Sequence, residues 1–143
     1  MLAFSSSWSG YGDELAWAAA WLAKATGESG YLDTARELFD EAGLCSWVPT
    51  GFDWDEKTVG VYVLMYELTG EARFKSCIDD WVNYILNEAR YTPQGMIFID
   101  QWGTLRHAAS AEIMSRFCKC SERVECEWRT QKRRGCGGGE IPL

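Results

Sequence analysis

Three tryptophans precede three segments with helical patterning, and each stands near residues that could bind a sugar. Trp54 is followed directly by Asp55, Trp102 comes four residues before Arg106, and Trp8 lies in a run of serine and glycine. An indole face can stack on the apolar face of a pyranose, while carboxylates and a guanidinium group bond its hydroxyls. If the three helices run parallel, their tryptophans meet at one rim and form a carbohydrate-binding surface. The alternative is that these indoles are packing residues of the core.

Other tryptophans fall inside helical periods rather than before them. Trp17, Trp21 and Trp81 recur with apolar neighbours at the spacing of a helix face. We therefore predict that these three side chains belong to the core.

The helical segments form a repeat. Residues 13–15 open one helix and 55–57 open another, 42 residues later, while the Thr-Gly-Glu sequences at 26–28 and 69–71 close them. Acidic residues suit a helix start, and glycine suits the left-handed residue that ends one. A second helical run follows each Thr-Gly-Glu, and a third unit opens near Trp102. The unit is thus a helical hairpin with a period near 43 residues.

The two helices of each unit differ in polarity. The first is apolar around most of its circumference, which indicates an inner helix, and the second carries more charge, which indicates an outer one. The sequence therefore predicts an all-α fold of about five helices, as part of an α/α toroid or an α-solenoid. Residues 96–99, after Pro93 and Gly95, are either a short strand or a buried loop.

Four segments of the chain resemble glycoside hydrolase family 9, the endo-β-1,4-glucanases or cellulases, in its animal-type form. Residues 4–19 resemble the pattern F-Y-x-S-W-S-G-[FY]-x-D-E-L-x-W-[GA]-A, and residues 52–57 resemble S-W-D-[DN]-K. Residues 91–98 and 101–109 resemble Y-T-P-G-G-L and W-G-S-L-R-[YH]-A-A-N. The four segments keep the family's order, and the resemblance covers about residues 4–109.

The resemblance implies a fold, a reaction and a set of sugar-binding residues. The fold is an (α/α)6 barrel, of which this chain would form part, and the reaction is inverting hydrolysis of internal β-1,4-glucosidic bonds in cellulose or cello-oligosaccharides, without a cofactor. The residues that would bind the sugar chain are Phe4, Trp8, Trp54, Asp55, Glu56, Trp102, Arg106 and His107. Three positions depart from the family patterns: Ser5 replaces Tyr, Gln94 replaces Gly, and Ser110 replaces Asn.

The catalytic carboxyl groups of the family have no counterpart in this sequence. Inversion needs a base that activates water and an acid that protonates the leaving oxygen. The family takes them from an Asp-Ala-Gly-Asp and an Asn-Glu motif, and neither motif is present. Glu14, Asp55 and Glu56 are poor substitutes, because acids at helix starts ordinarily serve the helix. We therefore expect no catalytic residue here and no activity from this chain alone; the alternatives are a helical-repeat interaction module or a glucan-binding remnant.

The sequence changes character near residue 117. Residues 1–117 carry 8 basic and 17 acidic residues, whereas 118–143 carry 6 basic and 4 acidic ones with four of the six cysteines. We predict a hydrolase module over 1–117 and a disordered, non-native tail over 118–143. The tail cysteines do not have the spacing of a zinc site, so no metal is expected. Cys45 and Cys77 could form disulfides, but the sequence leaves their pairing open.

Composition excludes other classes of partner. The formal net charge of -7 argues against a nucleic-acid backbone as partner, since phosphate binding needs a basic surface. The longest unbroken apolar run covers residues 15–23 and is too short to span a membrane. The first residues lack the pattern of a signal peptide, although members of the family are secreted.

Overall fold

The computed structural model describes residues 10–120, which form five α-helices and one two-stranded sheet. The elements are α1 (Gly12–Thr26), α2 (Ser29–Glu41), α3 (Thr58–Thr69), α4 (Ala72–Asn87), β1 (Arg90–Tyr91), β2 (Ile97–Phe98) and α5 (Thr104–Cys120). The prediction of a mainly helical fold with five helices is confirmed.

Two glycines end the first helix of each hairpin. Gly27 and Gly70 have φ angles of 74° and 68°, a left-handed conformation that glycine adopts without steric cost. Their N–H groups donate to the carbonyls of Ala23 and Tyr66, which satisfies the end of each helix. The chain then reverses within a few residues, so that α1–α2 and α3–α4 are successive hairpins, as the repeat predicts.

Helix α3 contacts three of the other helices. Helix α1 packs against α2 and α3, and α3 packs against α4 and α5. Seven of the residues of α3 are buried, from Thr58 to Tyr62 together with Leu64 and Met65. By contrast, α2 buries only Ala35 and Phe39. The prediction that apolar first helices lie inside and charged second helices lie outside therefore describes α3 and α2 well.

Helix α1 differs from that prediction. Its buried residues are mostly small, whereas Leu15, Trp21 and Leu22 are exposed. Trp81 is fully buried and Trp17 is partly buried, but Trp21 is 44% exposed, so its assignment to the core was wrong. Its ring contacts Trp17 and Lys24 of the same helix, and within residues 10–120 no element other than α2 and α3 packs against α1 to cover it.

The connection between α4 and α5 contains a short hairpin. Strands β1 and β2 are antiparallel, with Arg90 opposite Phe98 and Tyr91 opposite Ile97. Gly95 turns the chain at a φ angle of 81°. Of the two alternatives for residues 96–99, the structure therefore has a strand, at Ile97–Phe98.

A disulfide joins Cys45, after α2, to Cys77 on α4, with 5.8 Å between their Cα atoms. This pairing closes a loop of 32 residues and answers a question that the sequence left open. The predicted boundary near residue 117 lies within α5, and the tail beyond Cys120 lies outside the described residues, so both stay predictions. Within the described part of the chain, no helix is long and apolar enough to cross a membrane.

Candidate functional site

Two long connections lead into the inner helices and meet beside each other. We call residues 42–57, which precede α3, the first rim connection, and residues 88–103, which precede α5, the second rim connection. A β-carbon at Gly51 would lie 3.6 Å from Cγ2 of Ile99, so the two connections are in contact. Asp53 of the first also lies against His107, in the first turn of α5. The starts of α3 and α5 thus contribute to one surface.

Each connection presents an exposed tryptophan. Trp54 is 56% exposed and Trp102 is 77% exposed, which leaves both indole rings accessible to a ligand. Asp100 Oδ1 accepts a hydrogen bond of 2.8 Å from the backbone N–H of Trp102 and so fixes the chain at this ring. Trp54 and Trp102 are therefore rim residues rather than core residues. Phe4 and Trp8, which the resemblance places with them, lie outside the described residues.

Asp53 organises the turn that carries Trp54. Its Oδ1 accepts hydrogen bonds from the backbone N–H groups of Asp55, at 2.9 Å, and Glu56, at 3.2 Å. Its own N–H donates to the carbonyl of Glu56 at 3.0 Å, and Lys57 Nζ donates to its carbonyl. An aspartate that bonds nearby backbone groups in this way stabilises a tight turn without regular secondary structure. The sequence reasoning missed Asp53, although an aspartate two residues before Asp55 is a signal for such a turn.

The two acids after Trp54 have different environments. Oε1 of Glu56 accepts a hydrogen bond of 3.0 Å from the N–H of Thr58, one of the free donors in the first turn of α3. Burial raises the pKa of Glu56, and the hydrogen bond from Thr58 partly opposes that rise. Asp55 is half-buried beside it. One oxygen of Glu56 therefore serves the start of α3.

Helix α1 holds the same turn from the other side. Asp13 is only 2% exposed, and its Oδ2 accepts a hydrogen bond of 2.6 Å from the N–H of Lys57. Burial, followed by a hydrogen bond with Asp13, raises the pKa of the neighbouring Glu14 to about 7. The sequence indicated only a helix-dipole role for these two acids. Their position at the helix start is retained, but Asp13 also anchors the next repeat.

Arg106 and His107 begin α5 and point to different places. Arg106 is exposed, and its side chain lies across Gly103, where a β-carbon would be 2.6 Å from Nε. Its Nη2 is 3.5 Å from Nε2 of His107. His107 is only 6% exposed, and its Nδ1 is 3.4 Å from Oδ2 of Asp53. Arg106 therefore reaches the rim, whereas His107 lies behind it.

This surface can stack and hydrogen-bond a ligand. It presents two accessible indole rings, one guanidinium group with several donors, and one half-buried carboxylate. Of the predicted site residues, the structure brings Trp54, Asp55, Glu56, Trp102, Arg106 and His107 onto two adjoining connections and the start of α5. Among residues 10–120, no group of three or more His, Cys, Asp or Glu side chains is placed to hold a metal ion.

The sequence model of glycosyl hydrolase family 9 matches residues 2–128. Endoglucanase B from Cellulomonas fimi is 33% identical over 142 residues, covering 92% of this chain and 13% of that protein. An endoglucanase from Dictyostelium discoideum is 38% identical over 116 residues, covering 78% of this chain and 16% of that protein.

Solved structures give the fold. The endoglucanase from the termite Nasutitermes takasagoensis superposes with a TM-score of 0.82 at 40% identity, covering 93% of this chain and 30% of that one. The cellulase Cel9M of C. cellulolyticum, solved in complex with cellobiose, gives a TM-score of 0.75 at 23% identity. The chain thus spans less than a third of the length of these relatives. The prediction of a partial (α/α)6 barrel is confirmed.

Proposed function

The chain belongs to glycosyl hydrolase family 9, and from that membership we propose that the whole protein is an endo-β-1,4-glucanase. It would cleave internal β-1,4-glucosidic bonds of cellulose or a related glucan with inversion at the anomeric carbon. Within it, the surface formed by the two rim connections would be one wall of the glucan-binding cleft. The observation that carries this proposal is the exposure of Trp54 and Trp102 on adjoining connections at the starts of two inner helices.

Each described residue of the surface has a role in this proposal. The indoles of Trp54 and Trp102 stack on successive parts of a glucan chain, because their faces are open to solvent. Arg106 donates hydrogen bonds to hydroxyl groups, and Asp55 accepts them. The family resemblance implies that Phe4 and Trp8, which lie outside the described residues, would bind the same glucan chain. Exposed tryptophans on neighbouring loops favour this function over a helical-repeat interaction module, in which packing would bury them.

The proposed contribution of this chain is binding rather than acid–base chemistry. Inversion needs two carboxyl groups roughly 6.5–9.5 Å apart across the bond to be broken. The sequence has neither family motif that supplies them, and Oε1 of Glu56 is bonded to the start of α3. The chain alone is therefore expected to bind cello-oligosaccharides without hydrolysing them. With one wall of a cleft, the dissociation constant would be on the order of 1 mM, which corresponds to about -4 kcal/mol.

A secreted parent protein fits the proposal. The Cys45–Cys77 disulfide supports an oxidising compartment, because disulfides rarely persist in the reducing cytosol.

Binding and turnover can be measured on the same purified chain. Cello-oligosaccharides are expected to change tryptophan fluorescence, with a smaller change and weaker affinity in Trp102→Ala and Trp54→Ala. The matched control is Trp21→Ala, which removes an indole of similar exposure from α1, beyond the rim. Thermal melts should show that the Trp102→Ala variant is as stable as the unaltered chain, since surface substitutions usually change stability by less than about 0.5 kcal/mol.

Two results would contradict parts of the proposal. If the unaltered chain binds no oligosaccharide, or if Trp21→Ala weakens binding as much as Trp102→Ala does, the surface is not a glucan site and the interaction module is favoured. If the chain releases reducing sugar and Asp55→Asn or Glu56→Gln abolishes that release, the catalytic carboxyl groups lie in this chain after all.

A further inference from the structure

A buried histidine lies between the first rim connection and the exposed arginine at the start of α5. His107 is the single histidine of the chain, and its ring lies between Asp53 of the first rim connection and Arg106 of α5. Nδ1 is 3.4 Å from Oδ2 of Asp53, and Nε2 is 3.5 Å from Nη2 of Arg106. Both separations are longer than an ordinary hydrogen bond, and Nδ1 is buried without another partner in the described part of the chain. The ring thus has one neighbour for each nitrogen.

The chemistry of those neighbours selects one tautomer of the neutral ring. A guanidinium group has only donors, so the nitrogen that faces Arg106 must offer a lone pair. An ionised carboxylate has only acceptors, so the nitrogen that faces Asp53 must carry the proton. Both conditions are met when the proton is on Nδ1 and Nε2 is bare. The opposite tautomer would direct an N–H group at the guanidinium and a lone pair at the carboxylate.

We propose that Asp53 is a positioning residue that holds His107 in its Nδ1–H tautomer and, through Nε2, holds the guanidinium of Arg106 at the rim. The proposal rests on the sugar-binding function proposed above, because Arg106 is the donor that this arrangement would present to a glucan. Asp53 acts through His107 and does not itself touch the ligand.

The two carboxylate oxygens of Asp53 face different groups. Oδ1 accepts the backbone N–H groups of Asp55 and Glu56 and so shapes the turn of Trp54, while Oδ2 faces His107. One carboxylate therefore sets the turn of the indole and the orientation of the guanidinium together. Gly103 limits Arg106 from its other side, since the arginine side chain lies directly across its backbone. The stem of Arg106 therefore lies against Gly103, and its head lies beside Nε2 of His107.

The tautomer can be read directly in solution. Because the chain has one histidine, selective 15N labelling of histidine gives one pair of ring nitrogen resonances. We expect Nδ1 to resonate as a protonated nitrogen and Nε2 as an unprotonated one in the neutral ring. This pattern is the reverse of that of a solvent-exposed histidine, in which the proton prefers Nε2. A proton on Nε2 in the unaltered chain would overturn the proposal without the need for any variant.

The variant Asp53→Asn keeps an acceptor for the turn of Trp54 and changes the group that faces His107. Its amide oxygen can still accept the N–H groups of Asp55 and Glu56, but its amide nitrogen donates toward His107. We expect the ring proton to move to Nε2 and affinity for cellohexaose to fall about tenfold, the loss of one hydrogen-bond interaction with a charged group. Asp79→Asn, which removes an exposed carboxylate from α4, controls for the change in net charge and should alter neither readout.

A second variant assigns the effect to Asp53 rather than to Arg106. Arg106→Met removes the group beside Nε2, and the proton should remain on Nδ1 because Asp53 is still present. A proton that stays on Nδ1 in Asp53→Asn, or leaves it in Arg106→Met, would show that Asp53 does not set the tautomer. If the unaltered chain binds no cellohexaose, the proposed function fails, whereas the resonances, which need no sugar, still decide the role of Asp53.

Discussion

The two rim connections reach the same surface by different means. The first is held by its surroundings: the disulfide joins Cys45 to α4, the hydroxyl of Tyr62 donates to the carbonyl of Leu44, and Asp13 accepts the N–H of Lys57. In the second, hydrogen bonds join residues close in sequence, through the pairing of β1 with β2, the hydroxyl of Tyr91 donating to the carbonyl of Ile85, and the bonds of Asp100 Oδ1 and carbonyl within residues 100–104, while Ile97 is buried in the core.

This difference determines what each tryptophan depends on. The turn of Trp54 is fixed by contacts to α1, α3, α4 and α5, so a change in any of these helices can reach it. Trp102 follows a hairpin and stands on an aspartate turn whose hydrogen bonds join residues close in sequence. Ordering the backbone of a loop costs about 1–2 kcal/mol per residue. Contacts with the helical array help to offset this cost in the first rim connection, and hydrogen bonds between residues close in sequence help to offset it in the second. Perturbations of the array should therefore affect the first connection before the second.

Removing the disulfide should have the largest effect and should be confined to the first connection. In the double variant Cys45→Ala with Cys77→Ala, we expect the free energy of unfolding to fall by about 2–4 kcal/mol, because the unfolded chain loses a cross-link. Urea denaturation followed by circular dichroism measures this loss. Hydrogen exchange should show faster exchange of amides in residues 42–57, with little change in residues 88–103.

A reducing agent provides the control for this prediction. It should lower the stability of the unaltered chain by a similar amount and leave the double variant unchanged. Faster exchange in both connections to the same degree would show that the second connection also depends on the helical array.

Much of the architecture could be predicted from the sequence because it depends on local signals. The glycines at 27 and 70 end their helices where the Thr-Gly-Glu repeat places them, with the left-handed conformation that only glycine adopts easily. Spacing alone left the exposure of Trp54 and Trp102 open, whereas the resemblance of their segments to the family implied sugar-binding residues, and both indoles are exposed. In each case the residues that determine the outcome lie within a few positions of one another.

The rest depended on contacts between distant residues. Asp13 bonds the N–H of Lys57, 44 residues away, and nothing in its own segment distinguishes it from an ordinary acid at a helix start. Cys45 could have paired with any other cysteine, since spacing does not fix pairing. Trp21 has the periodicity of a core residue, but periodicity cannot reveal which side of a helix is covered. The link from Asp53 to His107 likewise appears only when the two connections are brought together.

A methyl group at Gly60 should have the next largest effect. A β-carbon there would lie 2.6 Å from the ring of Trp17 and 2.8 Å from that of Phe52, the residue before Asp53. Both rings would have to shift, and overpacking of this kind costs about 1–3 kcal/mol. In Gly60→Ala we expect that loss in urea denaturation, together with a change in the fluorescence of Trp54 as the turn moves with Phe52.

Gly30→Ala is the matched control for Gly60→Ala. It adds the same methyl group at a helical position where the new carbon would meet nothing within 4 Å. Because alanine favours a helix more than glycine does, we expect a gain of about 0.5–1 kcal/mol. If both substitutions lower the free energy of unfolding equally, the loss in Gly60→Ala does not come from contact of the new methyl group with Trp17 and Phe52.

The smallest effect concerns Glu14, which lies beside the acid of α1 that bonds the first connection. Burial and a hydrogen bond with Asp13 raise the pKa of Glu14 from 4.5 to about 7, so the folded chain binds a proton here that the unfolded chain releases. Stability from this group is therefore complete below pH 4.5 and is lost as the pH rises toward 7. Glu14→Gln, which resembles the protonated form, should remove this decline and raise stability above pH 7 by about 1 kcal/mol, less than the full shift because the side chain is only partly buried.

The measurement is the free energy of unfolding between pH 4 and pH 8, and Glu67→Gln, at an exposed carboxylate paired with Lys24, serves as the control that should keep the decline. If Glu14→Gln and the unaltered chain show the same pH dependence, Glu14 ionises as it would in water, and the buried link from α1 to the first connection consists of Asp13 alone.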